Sequence, residues 1–393
     1  MPKHFMLRKI PAHHPFAYFF LAFITMAGLS YINFLPGVVN ALAGGIGFSD
    51  VEAGQIVAVN GYGGLIGSGL AVFLVRRIHW QPAIYTFLLM LAVIDIGTVW
   101  VKDYNTMLGW RFFAGILGGL SVGFGFSVLA RLNNPDRAFG ILLFIQFTIG
   151  SLVIYLLPAL EAQLGAHAVF YAMASFVSLS LVMMLFLPSL SLDNNSTGQA
   201  MSLSGSSGKA LLLLFAIISY LIGASAIWAY VGLIGLDADM TSENVSTYIA
   251  LTGLLGLPGA MLPVLGGARF GRLYWIMTGI ALSALAALLL NFSQHSPVYI
   301  TAMALLFFSW PAVQSYLLAA TAEIDSSGRL STIAAVVSSV GLATGPLLAS
   351  GLLDNGNFSV MLYSCAIIFL LSFLLLLKPV QAQEKARTQV LSS

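Results

Sequence analysis

Asp95 and Arg111 are the residues of this 393-residue chain whose chemistry most needs explaining, since each lies inside an apolar run where a charge is costly. Arg111 is the only ionisable residue between Met107 and Ala130, and Asp95 is the only acid placed firmly within an apolar segment. They flank one short hairpin: Asp95 precedes Lys102 by seven residues and Arg111 follows Asn105 by six. At 1.5 Å per residue both side chains lie about 9 to 11 Å from the hairpin end of their helices, so an ion pair is geometrically reasonable. Two chemistries fit. The charges neutralise each other in a medium hostile to either alone, or protonation of Asp95 releases Arg111 to bind an anionic substrate or gate an outer cavity.

The elements that must hold this pair are membrane helices. The stretch Thr106 to Arg131 carries Gly115, Gly118, Gly119, Gly123 and Gly125, which would weaken a water-exposed helix but let helices approach closely in lipid. With 59% hydrophobic and 8% charged residues, the chain is far from the roughly 25% charged of globular domains. Twelve apolar segments are each near bridging length: residues 16–39, 53–75, 82–101, 107–130, 138–158, 167–187, 210–235, 246–267, 273–291, 298–320, 331–352 and 358–377. The start of the chain has basic residues before an apolar run, as a secretory signal does, but the run continues to about Val39 and reads as a first span. With the N-terminus cytoplasmic, 14 of the 16 Lys and Arg fall on the cytoplasmic side, leaving Lys102 outside and Arg111 in the membrane. Both termini are therefore expected inside the cell membrane.

A net charge of +2 without a basic domain excludes a nucleic-acid partner. The single Cys365 excludes an intramolecular disulfide. The segment Ser189 to Gly208 is a polar Ser/Gly/Asn linker that divides the chain into residues 1–188 and 210–378, each holding six segments, with a cytoplasmic tail at 379–393. Its Gly205–Ala210 run has the composition of a phosphate loop, but neither the spacing nor a preceding strand. The halves repeat at an offset of 192: Gly61, Gly64, Gly67, Arg77 and Arg137 fall on Gly253, Gly256, Gly259, Arg269 and Arg329.

Twelve helices in two like-oriented halves, with a cytoplasmic linker and cytoplasmic termini, resemble the major facilitator superfamily. Arg111 to Gly119, RFFAGILGG, is similar to that superfamily's fourth-helix pattern of arginine followed by spaced glycines. Its loop motif after the second helix of each half is degraded here, to Val75-Arg76-Arg77-Ile78-His79 and Ala268-Arg269-Phe270-Gly271-Arg272. The drug-antiporter proline-glycine pattern is missing from helix 5, and a Gly341 to Pro346 version occurs in helix 11. The resemblance implies an all-α membrane protein of two six-helix bundles, and a path lined by helices 1, 4, 7 and 10 with help from 2, 5, 8 and 11. Mid-membrane residues on those helices give the binding candidates Tyr31, Asn33, Asn60, Gln146, Tyr220, Trp228, Trp310 and Gln314. Amides and aromatics with one acid and one base suit a small, neutral or weakly charged organic solute, and Asp95 offers a site for proton coupling. Pro36-Gly37, Pro258-Gly259 and Pro311 could supply bends for rocking. No cofactor or metal is implied, and a monomer is expected. An uncoupled facilitator or channel-like pore is the alternative. A membrane-embedded enzyme is disfavoured by scattered histidines and the lack of an HExxH motif.

Overall fold

A computed structural model describes residues 14–75, 77–132, 135–187, 208–266, 272–324, 329–353 and 357–392. Linker residues 188–207 and the loop 267–271, and with them Asn194, Asn195 and Arg269, lie outside the described residues, as does Arg76. Twelve described helices are long and apolar enough to cross a bilayer, where only a structure that satisfies its own backbone can persist. In the first half they are α1 (Pro15–Asn33), α2 (Asp50–Leu74), α3 (Trp80–Gly97), α4 (Tyr104–Leu129), α5 (Pro135–Leu164) and α6 (Ala168–Leu185). The second half holds α7 (Gly208–Asp237), α8 in two pieces (Ser242–Gly253 and Gly256–Gly266), α9 (Arg272–Leu289), α10 (Ser296–Ile324), α11 (Arg329–Leu352) and α12 (Ser359–Ser392). An even number of crossings puts α1's start and α12's end on one side, the termini side; the other is the far side.

The sequence repeat is a structural repeat. Asp50, Trp80 and Tyr104, which begin α2, α3 and α4, lie 192 residues before Ser242, Arg272 and Ser296, which begin α8, α9 and α10. The 3₁₀ turns that follow α3 and α9, Thr98–Trp100 and Leu290–Phe292, keep the same offset. Helices α1 to α6 pack on one another, as do α7 to α12. The two bundles meet along α2 with α11 and α5 with α8.

The last helix runs on to Ser392, past the apolar run that ends at 377 and through most of the expected tail at 379–393, and two other helices are broken. Instead of one segment over 16–39, α1 stops at Asn33, and a short helix, Leu35–Asn40, continues into a π-helical turn, Ala41–Ile46. Likewise α8 breaks at Leu254 and Leu255. In both cases a proline follows: Pro36 lies four residues beyond Ile32, and Pro258 four beyond Leu254. Proline supplies no amide hydrogen and its ring crowds the carbonyl four residues back, so the break falls within that turn. Pro311, by contrast, sits inside an unbroken α10.

Glycine places α4 between two neighbours. Gly63 and Gly67 of α2 face the backbone at Phe112 and Ile116, while Gly115 and Gly119 of α4 face the backbone at Asn60 and Gly64. A methyl group at any of the four would overlap the opposite main chain. On another side of α4, Gly118 faces the Gly28 carbonyl and Gly125 faces Thr25, both on α1.

Candidate functional site

The hairpin α3–α4 forms the expected ion pair: Arg111 Nη1 donates to Asp95 Oδ1 at 2.8 Å, with both side chains 1% exposed. Thr98, on the 3₁₀ turn that ends α3, accepts a second bond from Nη1 at 3.3 Å. The guanidinium lies 4.6 Å from the centroid of the Tyr31 ring of α1 and 5.2 Å from that of Phe170 of α6, contacts that stabilise a desolvated cation. Arg111 of α4 is thus contacted by three other helices of the first bundle, α1, α3 and α6. Asp95 Oδ2, Arg111 Nε and Tyr31 Oη are buried without a hydrogen-bond partner. Such a half-satisfied polar cluster is costly and typical of a functional position.

A second group gathers where the bundles face each other. Trp228 of α7 donates from Nε1 to the Ile32 carbonyl of α1 at 2.9 Å, and its ring meets Phe307 of α10 edge-on, with centroids 5.2 Å apart. Phe307, Trp310 and Gln314 recur at helical spacing and share one face of α10. Trp310 and Gln314 are half-buried, and Trp310 Nε1 has no partner. Asn33, the last residue of α1, faces Gly150 of α5; its Nδ2 is buried and unpaired. Gln146, half-buried, lies one turn from Gly150 on the same helix. Trp228 thus meets α1 across the bundles next to Asn33, while Trp310 and Gln314 continue the α10 face that begins at Phe307 and Gln146 lies on α5.

The structure sets three other candidates apart. Tyr220 is fully buried inside the second bundle, its hydroxyl 2.9 Å from Ser283 Oγ, which is 2.8 Å from Ser309 Oγ, and its ring against Phe369. Tyr31 covers the ion pair. Asn60 is buried at the α2–α4 contact, with Oδ1 unpaired.

The bundles touch on the far side. Tyr230 donates to the Asp50 carbonyl at 2.8 Å, Tyr62 and Thr344 hydroxyls are 2.9 Å apart, and Gly61 faces Ala343. Towards the termini side the same helix faces diverge: on α11 exposure rises from 4% at Ala343 to 53% at Val336, two turns away, and on α2 it reaches 64% at Val72, three turns beyond Gly61. The bundles are thus in contact through Asp50, Gly61 and Tyr62, whereas Val72 and Val336, on the same faces nearer the termini side, are exposed. Tyr62, Thr344 and Phe307 were not singled out by the sequence, where nothing pairs positions so far apart in the chain.

Two pseudo-repeated six-helix bundles around a shared polar seam define a membrane transporter fold of the two-bundle kind. The profile of the Major Facilitator Superfamily matches residues 213–391. Among solved structures, a mutant of the nucleoside transporter NupG is similar with a TM-score of 0.74 at 14% identity, covering 93% of this chain and 98% of that one. The D-xylose-proton symporter gives 0.71 at 16%, covering 93% and 98%, and the human organic anion transporter MFSD10 (TETRAN) 0.64 at 17%, covering 92% and 98%. No curated protein matches the sequence. The profile thus covers the second half of the chain, and the fold of these transporters extends over both halves.

Proposed function

We propose that the protein is a proton-coupled secondary transporter that carries a small, neutral or weakly charged organic solute across the cell membrane by alternating access, as a monomer with both termini in the cytoplasm. The observation that carries this reading is the pairing of two groups: a seam of amides and indoles contributed by both bundles, and a buried titratable ion pair packed directly behind α1, which lines that seam. Solute contacts are assigned to Asn33, Gln146, Trp228, Trp310 and Gln314. Asp95 and Arg111 act in coupling. Proton uptake by Asp95 removes the counter-charge of Arg111, which leaves a lone buried cation that must find a new partner. Tyr31 stands between the pair and the remainder of α1 and would carry that change to the seam.

The solute class agrees with the nucleoside and D-xylose named for two of the structural neighbours. Flat or hydroxyl-rich molecules match amide hydrogen bonds and indole faces, and the residues assigned to the solute include none of the clustered cations a highly anionic substrate would need. Vesicle transport of a nucleoside and of a pentose, with and without a pH gradient, tests the reading. Asp95→Asn is expected to remove stimulation by the gradient. A variant with unchanged rate and unchanged pH dependence would eliminate coupling through the pair.

A further inference from the structure

The Ile32 carbonyl lacks its regular helical donor: the nearby Phe34 amide, directed at both the Ser30 and Ile32 carbonyls, bonds Ser30 at 2.9 Å. In continuous α-helix it would accept from the amide of residue 36, but that residue is Pro36, which has no amide hydrogen. A carbonyl without a donor is strongly disfavoured in the membrane. Here the donor comes from the other bundle, as the Trp228 Nε1–H at 2.9 Å. The indole is held in place by Phe307, whose ring meets it at 80°. One turn further along α7, bare backbone at Gly232 receives Asn40 from the short helix that continues α1. The contact is thus a seated one on both sides, not a chance approach.

We infer that Pro36 and Trp228 form one positioning device that sets the balance between far-side-closed and far-side-open states. Pro36 removes the regular donor to a carbonyl of α1, and the Trp228 indole takes its place. Trp228 supplies the donor only while the bundles touch. Closure satisfies both groups, and opening strands both. The inference rests on the alternating-access reading above and adds to it the residues that bias the equilibrium. It also gives Trp228 a task distinct from touching solute, and it explains why a proline is placed where α1 meets α7.

The test uses two single-cysteine reporters in a Cys365→Ala background, Cys365 being the only cysteine. Ser350→Cys reports the far side: Ser350 is 2% exposed on α11, against Gly54. Val336→Cys reports the termini side. Maleimide labelling is followed on purified protein in nanodiscs, where both faces meet the reagent. Trp228→Phe keeps the ring but loses the N–H, and Pro36→Ala restores the missing amide. Each is expected to raise labelling at 350 and lower it at 336 by about two- to tenfold, the equivalent of one neutral hydrogen bond. The double variant should go no further than the larger single effect. Should Trp228→Phe fail to give monodisperse protein, Pro36→Ala alone decides.

Gly54→Leu serves as a steric wedge, because a side chain there collides with Tyr230 and Ser350 across the interface. If the wedge moves both reporters in opposite directions while neither Pro36→Ala nor Trp228→Phe does, the device is wrong and alternating access stands. If the wedge raises labelling at 350 without lowering it at 336, alternating access itself fails, and the device with it.

Discussion

The helix pairs α2–α4 and α8–α10 occupy equivalent places in the two bundles, yet they are built differently. In the first, Gly63, Gly67, Gly115 and Gly119 interlock two continuous helices backbone to backbone. In the second, only Gly259, the counterpart of Gly67, keeps its contact, on the carbonyl of Phe308, the counterpart of Ile116. Gly63, Gly115 and Gly119 are replaced at the same offset by Leu255, Phe307 and Pro311, and α8 breaks at Leu254 and Leu255. The charges differ as well. Asp95, Thr98 and Arg111 have Ala287, Leu290 and Met303 as their counterparts, all buried and apolar. One repeat has become a tightly joined block around an ion pair. The other is a bent, apolar block that presents Phe307 and Trp310 to the seam. Specialisation of duplicated halves, on this evidence, consists of moving backbone contact and charge into one half and aromatic surface into the other.

Importing the second bundle's residues into the first should have the largest effect. Gly63→Leu, which copies Leu255, must force α2 away from the Phe112 carbonyl; overpacking against main chain that cannot yield should cost 3 kcal/mol or more, at about the upper end of such substitutions. The yield of monodisperse protein and its unfolding temperature should both fall sharply, and wild-type stability would refute the interlocked packing. Next in size is the ion pair. Asp95→Ala or Arg111→Met alone should cost about 3 to 5 kcal/mol, because each strands a buried charge, whereas the double variant, which copies Ala287 and Met303, should recover most of that loss. Thermal unfolding of the three variants forms a double-mutant cycle. A double variant that is folded but inert in transport separates coupling from scaffolding; one that transports with normal pH dependence makes the pair structural.

Smaller effects sharpen the contrast. Tyr220→Phe removes a hydroxyl from the second bundle's neutral network of Ser283 and Ser309, and should lower stability by about 1 kcal/mol while leaving transport unchanged. Reduced solute affinity in that variant would return Tyr220 to the binding site. The smallest concerns the caps. Ser49 and Thr241, again 192 apart, cap α2 and α8, but only Ser49 has a reciprocal capping box, with Glu52. Ser49→Ala should cost about 1 kcal/mol and Thr241→Ala nearer half of that. Equal losses would mean that the box adds nothing.

Much of this was legible in the sequence. The length of apolar runs fixes the number of crossings, the offset of 192 predicts where helices start in the second half, and a hairpin with an acid and a base at matched depth predicts their pair. Apolar runs carry depth but little azimuth, because a membrane helix is hydrophobic on every side. Hence Tyr220 and Trp228, both aromatic and about two turns apart on α7, could not be sorted, and one faces the bundle interior while the other faces α1. Of the three prolines expected to bend helices, Pro36 and Pro258 follow the breaks after Asn33 and at Leu254, whereas Pro311 leaves α10 intact. The partners of Arg111 beyond Asp95, namely Tyr31 and Phe170, come from other hairpins, and spacing along one hairpin says nothing about them.

The closeness of Asp95 and Arg111 along the chain also bears on how the protein is made. Both charges belong to one hairpin, whose turn between α3 and α4 is only a few residues long. A pair confined to a hairpin can close as its two helices enter the lipid together, so that segment crosses as a neutral unit. The Arg111 guanidinium then waits for Tyr31 and Phe170 to cover it as α1 and α6 dock.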